Sequence, residues 1–214
     1  MKLALIIISS IILLVICLVV GGMILFSLSL PQKKDYLTLQ DPRIINKQDV
    51  SALIVDFDGD PNTVIKEAFG KIFKVYYGLK NVPKGKGQSA PIARYHDFDN
   101  LLELVADDKL KDVKWKGFVA IPVPNSLQSI PDKAKQSPYP VKLEKLVYGQ
   151  VAEIVHFGPY ETEGPIIQKL KDFIIDKGYN ISGLHEEEYL KGPGLPLVKP
   201  KDYITIIRYQ VKKN

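Results

Sequence analysis

Apolar and polar residues after residue 50 follow first the period of a strand and then the period of a helix. Residues 50–57 (VSALIVDF) predict a strand, and the turn cluster DGDPN follows them. Over residues 63–77 the apolar side chains recur on one helical face, and Gly78 is a suitable helix stop. This strand, turn and helix begin a first predicted unit.

The same order returns in the second half of the chain. Residues 149–157 (GQVAEIVHF) predict a strand, and GPYETEGP predicts a turn and a helix start whose apolar face ends at Gly178. Aligning the halves pairs residues 55–62 with residues 155–162. Further predicted strands follow each helix, at 91–96 and 117–123 in the first half and at 183–190 and 203–211 in the second.

Both predicted units have the order βαββ, which predicts an α+β domain with one sheet surface, two helices and a pseudo-two-fold axis. We place this domain at 50–214, with repeat one at 50–123 and repeat two at 143–214. The Pro-rich segment 124–142 is predicted to link the repeats, and a polar linker is predicted at 35–49.

Residues 1–34 predict a membrane anchor and its flank. From Leu3 to Leu30 the chain carries no charged residue, and this run exceeds the roughly 20 apolar residues that cross a bilayer. Only Lys2 precedes the run, whereas several cations follow it closely: Lys33, Lys34, Arg43 and Lys47. The positive-inside rule therefore predicts a single-pass protein whose C-terminal domain lies in the cytoplasm.

A cleavable signal peptide is the alternative for this segment. Ser27 and Ser29 are small enough for a cleavage site, but the apolar region of such a peptide has only about 7–15 residues. A lipoprotein signal does not fit, because Ile16 rather than a small residue precedes Cys17. We therefore expect the anchor to remain on the protein.

Composition excludes several classes of function. The single Cys17 lies in the apolar run, which excludes an internal disulfide framework and a Cys-ligated metal in the remaining chain. Lys and Arg number 29 against 24 Asp and Glu, and they are spread along the chain, so nucleic-acid binding is not expected. The three histidines, His96, His156 and His185, are too scattered to propose a metal site, and no cofactor is expected.

The sequence HEEEYL at 185–190 is the candidate for chemistry. Successive strand residues point to opposite faces, so His185, Glu187 and Tyr189 should share one face, and Glu186 and Glu188 the other, where we expect them to be exposed. The alternative is a solvated edge strand whose acids only keep it soluble. A carboxylate in a mostly apolar cleft would have a raised pKa, which suits a general acid or base.

The chain from about residue 50 to 214 resembles the GyrI-like small-molecule-binding superfamily. The stretches that carry the resemblance are LIVDFDGDPN, VKWKGFVAIPVP with Trp115, VHFGPYETEG, HEEEYL and TIIRYQVKK, and they are most similar to the cyclopropanoid-hydrolase branch. The resemblance implies a pair of βαββ units around a central ligand cleft. It also implies Glu187 and Tyr189 as catalytic residues, with Trp115 as a stacking platform for the ligand.

Departures from the family pattern limit what carries over. Gly117 replaces the second aromatic residue of a W-x-W pair, Gly192-Pro193-Gly194 replaces Asp-Pro-Arg, and Gln210 replaces a proline. Ile206 stands where the multidrug-sensing activators of the superfamily carry an acid, which disfavours a sensor of cations. Trp115 has a core role as its alternative, and Tyr160 is either a packing residue or a residue at the border of the cleft.

The order of a membrane helix followed by such a domain is similar to testis-expressed protein 264, an autophagy receptor of the endoplasmic reticulum. That receptor depends on an acidic tail, and the residues after the last predicted strand, VKKN, offer no counterpart, so no autophagy role is expected.

Two classes of function stay open at this point. One is a hydrolase of small strained or electrophilic compounds, with Glu187 and Tyr189 as catalytic residues and Trp115, His185 and Tyr160 as ligand contacts. The other is a non-catalytic effector-binding or membrane adaptor module that uses the same cleft. In both, the expected partner is a small apolar or aromatic ligand, and the sequence names no protein partner.

Overall fold

The computed structural model describes residues 17–23, 25–26, 29–98, 114–136 and 138–214. Residues 17–23 and 25–26 are helical and mostly exposed, while most of the predicted anchor lies outside the described residues. Within the ranges given above, no helix has the length and apolar character needed to cross a membrane.

Eight antiparallel strands form one sheet that curls into a half-barrel. Their order across the sheet is β1-β6-β8-β7-β3-β4-β2-β5. The strands are β1 (Arg43–Lys47), β2 (Val50–Gly59), β3 (Ile92–Tyr95), β4 (Trp115–Pro122), β5 (Lys142–Leu146), β6 (Gly149–Phe157), β7 (Tyr179–Lys191) and β8 (Ile204–Lys213). Two helices, α1 (Pro61–Gly78) and α2 (Gly164–Asp176), pack on one side of the sheet, and we call this side the helix face.

The α+β class and the paired arrangement of the units agree with the sequence prediction. Strands at equal distances from the two ends of the sheet correspond to each other in the two units. From the edges to the centre these pairs are β1 and β5, β6 and β2, β8 and β4, and β7 and β3. A pseudo-two-fold axis therefore runs between β3 and β7. The two helices are amphipathic as predicted, and their apolar faces join one core with the helix face of the sheet.

The sequence pattern did not predict β1 or β5. Strand β1 lies inside the segment 35–49, which we expected to be a linker, and it pairs with β6 of the second unit. Strand β5 pairs with β2 of the first unit. Each unit thus lends an edge strand to the other, and the halves are joined by backbone hydrogen bonds at both edges.

The predicted alignment of the halves is wrong by one residue. Gly59 and Gly158 end β2 and β6 with positive φ values of 149° and 133°, so they occupy the same place in the two units. Phe57 faces the helix side whereas Phe157 packs on the opposite side, which we call the outer face. A shift of one residue exchanges the faces of a strand, so residue 57 corresponds to His156 rather than to Phe157.

The structure explains why position 117 holds a glycine. Gly117 faces the helix side of β4, where a Cβ atom would lie 2.1 Å from the carbonyl oxygen of Arg94 and 2.8 Å from Cζ of Phe57. The Phe57 ring therefore occupies the space that a side chain at position 117 would need. Phe57 also packs against Tyr95, with a distance of 5.9 Å between ring centroids.

We expect Gly117→Ala to lower the free energy of unfolding by about 3 kcal/mol, because the new methyl group meets backbone that cannot move away. Gly70→Ala is the matched control, since Gly70 lies in α1 with no heavy atom within 4 Å of an added Cβ. This control should raise stability by roughly 0.5–1 kcal/mol through helix propensity. Urea unfolding of both variants tests the pair, and a neutral Gly117→Ala would contradict the close packing of Phe57.

Candidate functional site

Strand β7 carries HEEEYL through the middle of the sheet. It lies between β8 and β3, so the interpretation of HEEEYL as a solvated edge strand is wrong. The alternation of side chains is as predicted: Glu187 is paired with Ala93 on the helix face, and Glu186 is paired with Arg94 on the outer face.

Glu187 is a buried carboxylate with two hydrogen-bond donors. The residue is only 5% exposed. Oε1 lies 3.0 Å from Nε2 of His185, and Oε2 accepts a hydrogen bond of 2.5 Å from the Tyr189 hydroxyl. These two contacts fix both oxygens of the carboxyl group in place.

A second layer of side chains orients these two donors. The hydroxyl groups of Tyr95 and Tyr189 are 2.7 Å apart, and Nδ1 of His185 lies 2.9 Å from the Tyr209 hydroxyl. The Phe98 ring stacks on the His185 imidazole with 3.6 Å between centroids. The network is satisfied when Tyr209 donates to Nδ1 and His185 donates from Nε2 to Glu187. His185 is buried and lies between Tyr209 and Glu187.

Glu163 brings a second carboxyl group to the site, and sequence reasoning missed it. The residue precedes α2 and is only 3% exposed. Burial, together with the adjacent charge of Glu187, raises the pKa of Glu163 to about 10. The protonated form of Glu163 is therefore favoured at neutral pH.

Unpartnered polar atoms adjoin this second carboxyl. Oε1 of Glu163 and the Thr205 hydroxyl are both buried, and neither has a hydrogen-bond partner of good geometry among the described residues. Thr205 and Glu187 still lie close enough to the Glu163 carboxyl for side-chain hydrogen bonding to shift its pKa, Thr205 lowering it and Glu187 raising it. Buried polar atoms without a partner are rare in folded proteins and commonly mark a site for water or a ligand group.

Aromatic rings surround the polar groups. Tyr95 contacts Trp115 with a centroid distance of 5.5 Å and reaches Tyr189 through its hydroxyl, so it separates these two predicted cleft residues. Phe69 of α1 and Tyr160 of the turn before α2 lie on Tyr189 at centroid distances of 5.9 and 5.7 Å. Trp115 and Tyr160 are thus close to the site but in contact with its tyrosines rather than with Glu187.

Burial changes the acidity of these tyrosines. It is the main cause that raises the pKa of Tyr95 and of Tyr189 well above the ordinary value, and the charge of Glu187 adds to it in both cases. The pKa of Tyr160 is raised for the same two reasons. The phenols therefore act as hydrogen-bond donors at neutral pH.

The expected apolar cleft between Trp115 and Tyr189 is filled by side chains in this structure, because Tyr95 packs between them. Two surface grooves lie elsewhere. One of about 620 Å³ runs along α2 beside Pro42 and Phe173, and one of about 550 Å³ lies beside Glu67 and Tyr139. Neither groove is lined by Glu187 or by the rings around it.

The outer face of the same strands holds a buried ion cluster, which corrects the expectation that Glu186 is exposed. Glu186 is 2% exposed, and its two oxygens pair with Arg94 Nε at 2.6 Å and Arg208 Nη1 at 3.1 Å. Arg208 also binds Glu153 at 2.6 Å and Glu188 at 2.5 Å. Removing one member of a buried ion cluster typically costs about 3–5 kcal/mol, so Glu186 has a structural role.

Opposite charges in the cluster outweigh the effect of burial. Burial alone would raise the pKa of Glu153, but Arg208 and Arg43 lower it. Burial alone would lower the pKa of Arg208, but Glu188, Glu186 and Glu153 raise it. The charged forms of Glu153 and Arg208 are therefore favoured by their partners in the cluster.

The fold is shared with solved structures of low sequence identity. A hydrolase from Listeria innocua matches with a TM-score of 0.62 at 16% identity, over 84% of this chain and 96% of that chain. An uncharacterised conserved protein from the same organism matches with a TM-score of 0.65 at 20% identity, over the same shares. The C-terminal domain of EcmrR matches with a TM-score of 0.58 at 15% identity, over 81% of this chain and 98% of that domain.

No protein-family model and no curated protein sequence matches the chain. At these identities the structural likeness establishes the fold alone.

Glu163 should reduce stability at neutral pH. Its pKa is about 10 in the folded protein and 4.5 ordinarily, so between these values the unfolded chain releases a proton that the folded chain keeps. Stability is therefore lost as pH rises through this range. Relative to the natural protein, Glu163→Gln should gain about 3 kcal/mol of unfolding free energy between pH 4 and pH 7, at about 1.4 kcal/mol per unit.

Denaturant unfolding at both pH values measures this gain. Glu161→Gln is the control, because Glu161 is an exposed acid two residues away and should show no comparable gain. A Glu163→Gln protein whose stability relative to the natural protein is the same at pH 4 and pH 7 would show that Glu163 is ionised in the folded state.

Proposed function

We propose that the chain binds a small, largely apolar molecule at the Glu187 site and hydrolyses strained or electrophilic compounds there. The observation that carries the proposal is a buried carboxylate held by two donors and enclosed by aromatic rings on the helix face. Binding sites for small molecules are mostly apolar and contain a few oriented polar groups. Most of the affinity would come from the rings and the orientation from the polar groups.

Glu187 serves as the general base in this proposal. Its hydrogen bonds to His185 and Tyr189 fix the orientation of the carboxylate. A fixed carboxylate of this kind removes a proton from water that attacks an electrophilic carbon. Tyr189 keeps the base oriented. The solved hydrolase from Listeria innocua has the same fold, which supports a hydrolytic function here.

Binding requires that aromatic side chains move. Phe69 and Tyr160 cover Tyr189 from two sides, and Trp115 reaches the site only through Tyr95. Tyr160 also contacts Tyr203 at 5.2 Å between centroids, in the segment just before β8. Rotation of the half-buried rings of Tyr160 and Trp115 would admit a ligand while the strands stay in place.

Non-catalytic binding is the second candidate. Both oxygens of Glu187 already accept hydrogen bonds within the chain, and Gly117 removes the second aromatic platform of the hydrolase-like pattern. The C-terminal domain of EcmrR has the same fold and belongs to a protein solved in complex with DNA. An effector-binding or adaptor module would use the same rings but would not need a base.

Glu187→Gln should lower the rate of hydrolysis of cyclopropane- and epoxide-bearing apolar compounds by about 10²–10⁴, because the amide keeps the shape but cannot take a proton. Ligand binding, followed by the rise in melting temperature of the full-length protein, should change far less. Hydrolysis is measured by product formation in a panel of such compounds.

Glu144→Gln on the edge strand β5 is the control for the loss of one acid, and it should keep the full rate. A Glu187→Gln protein with an unchanged rate would rule out this residue as the base. Ligand binding by the natural protein without hydrolysis of any compound would favour the non-catalytic module.

We also propose that residues 1–34 anchor the domain in a membrane with the C-terminal part in the cytoplasm. The support is the charge-free run from Leu3 to Leu30 and the excess of cations on its C-terminal side. An anchored site would meet apolar compounds where they concentrate, which is in the bilayer. The order of anchor and domain is the one found in testis-expressed protein 264.

The full chain should sediment with membranes and resist alkaline carbonate, whereas a chain that begins at residue 35 should not. In sealed spheroplasts the domain should be protected from external protease. Digestion from outside, or a mature N-terminus near Leu30, would reject the orientation or the anchor, respectively.

A further inference from the structure

The pseudo-two-fold axis gives each residue of the site a counterpart in the first unit. Glu163 lies five residues after Gly158, and Val64 lies five residues after Gly59. Both are buried at the start of a helix. Glu187 faces Ala93 across the axis, and exchanging the two units places each at the position of the other.

The first unit thus fills both positions with apolar side chains. Val64 and Ala93 are part of the continuous core on the helix face. The fold therefore does not require a carboxyl group at either position, and burial of an unpaired acid is costly. Acids at both equivalent positions of one unit, within interacting distance of each other, indicate a shared role in chemistry rather than in folding.

Acids and phenols from three elements face Glu163. They are the acids Glu187 from β7 and Glu161 from its own turn, and the neutral phenols of Tyr160 from that turn and Tyr95 from β3. The charges of Glu187 and Glu161 raise the pKa of Glu163, and hydrogen bonding with Thr205 lowers it. With two donors on Glu187 and no such pair on Glu163, the proton shared by the two acids stays on Glu163.

We propose that Glu163 is the general acid of the reaction for which Glu187 is the base, and that the two carboxyl groups exchange one proton in each cycle. This inference rests on the proposed hydrolase function. The unpartnered Oε1 of Glu163 and the Thr205 hydroxyl mark the place for the leaving atom of the substrate or for the attacking water.

The proton and electron balance of this step closes without a cofactor. Water loses a proton to Glu187 as its oxygen forms a bond to the electrophilic ring carbon. The ring bond breaks, and its electron pair goes to the leaving atom, which takes the proton of Glu163. The water is consumed: its hydroxyl group ends on the attacked carbon and one hydrogen on the leaving atom, so the single product is the ring-opened compound. Glu187 then returns its proton to Glu163, and the pair is ready for the next substrate.

Tyr189 is the competing candidate for the acid. Its hydroxyl donates to Glu187, and its pKa is raised well above 10 by burial and by that charge. Once Glu187 has taken the proton from water, loss of a proton from either group leaves one negative charge beside a neutral acid, and a carboxyl group is intrinsically more acidic than a phenol by about 6 pKa units. Glu163 is therefore the stronger acid at the moment of transfer.

The test compares two substrates that share one apolar skeleton. One expels a poorly stabilised anion and needs an acid, and the other expels a strongly stabilised anion and does not. The full-length protein, purified in a mild detergent, is assayed as the natural chain and as Glu163→Gln, Glu163→Val, Glu187→Gln and Glu161→Gln. Glu163→Val copies the first unit and keeps the packing, so it guards against an effect of the amide on folding.

We expect both Glu163 variants to lose about 10²-fold or more in kcat on the first substrate and less than about tenfold on the second. Glu187→Gln should lose heavily on both substrates, and Glu161→Gln on neither. In ¹³C NMR of labelled glutamate, one carboxyl of the natural protein should titrate near pH 10 and return toward the ordinary range in Glu187→Gln.

Equal losses on the two substrates in the Glu163 variants would overturn the role as an acid, as would kcat within about twofold of the natural protein on the first substrate. If no carboxyl group of the natural protein titrates near pH 10, the proposal that the two acids share one proton would be overturned. These results leave the role of Glu187 intact if the natural protein is active. A natural protein that hydrolyses neither substrate would instead reject the proposed function, and the catalytic role of Glu163 with it.

Discussion

The pairing of β3 with β7 is the constraint on which the rest of the structure depends. It joins the two units at the centre of the sheet and sets Ala93 opposite Glu187 and Arg94 opposite Glu186. A slip of one residue would bury Glu186 among the aromatic rings and put Glu187 among the arginines. The buried pair of Arg94 and Glu186 opposes such a slip, because either charge would then lose its partner in a dry environment. The buried ion pair on the outer face thus fixes the strand register that places Glu187 on the helix face.

Much of the fold follows from local patterns in the sequence. The long strands and both helices were predicted, because their apolar residues recur with a clear period over nine or more residues. Strands β1 (RIINK) and β5 (KLEKL) were not predicted. Each has five residues at an edge of the sheet, where polar side chains interrupt the alternation that marks a strand. The alignment of the halves failed by one residue because matching Val55 to Val155 used residue type without regard to the face of the sheet.

The candidate site could be predicted only in part. Strand alternation selected Glu187 and Tyr189, since three neighbouring acids on one strand can face only two ways. Glu163 had no comparable signal, because an acid before a helix is common for reasons of helix capping and dipole. Tyr95 and Tyr209 come from strands far from residue 187 along the chain, and their roles depend on tertiary pairing. Aligning the two units on Gly59 and Gly158 does reveal that Glu163 of the second unit takes the place of Val64 in the first.

The exchange of edge strands has a consequence for how the chain reaches this structure. Neither unit completes its share of the sheet from its own residues, since β1 must find β6 and β5 must find β2 across about half of the sequence. Pairings between distant segments require closure of long loops before they contribute free energy, and this slows folding. Synthesis of the first unit would leave β2 with an unpaired edge until residues 142–146 emerge. The nascent chain would therefore expose an aggregation-prone strand edge, and its yield in cells would depend on chaperones that hold this edge during translation.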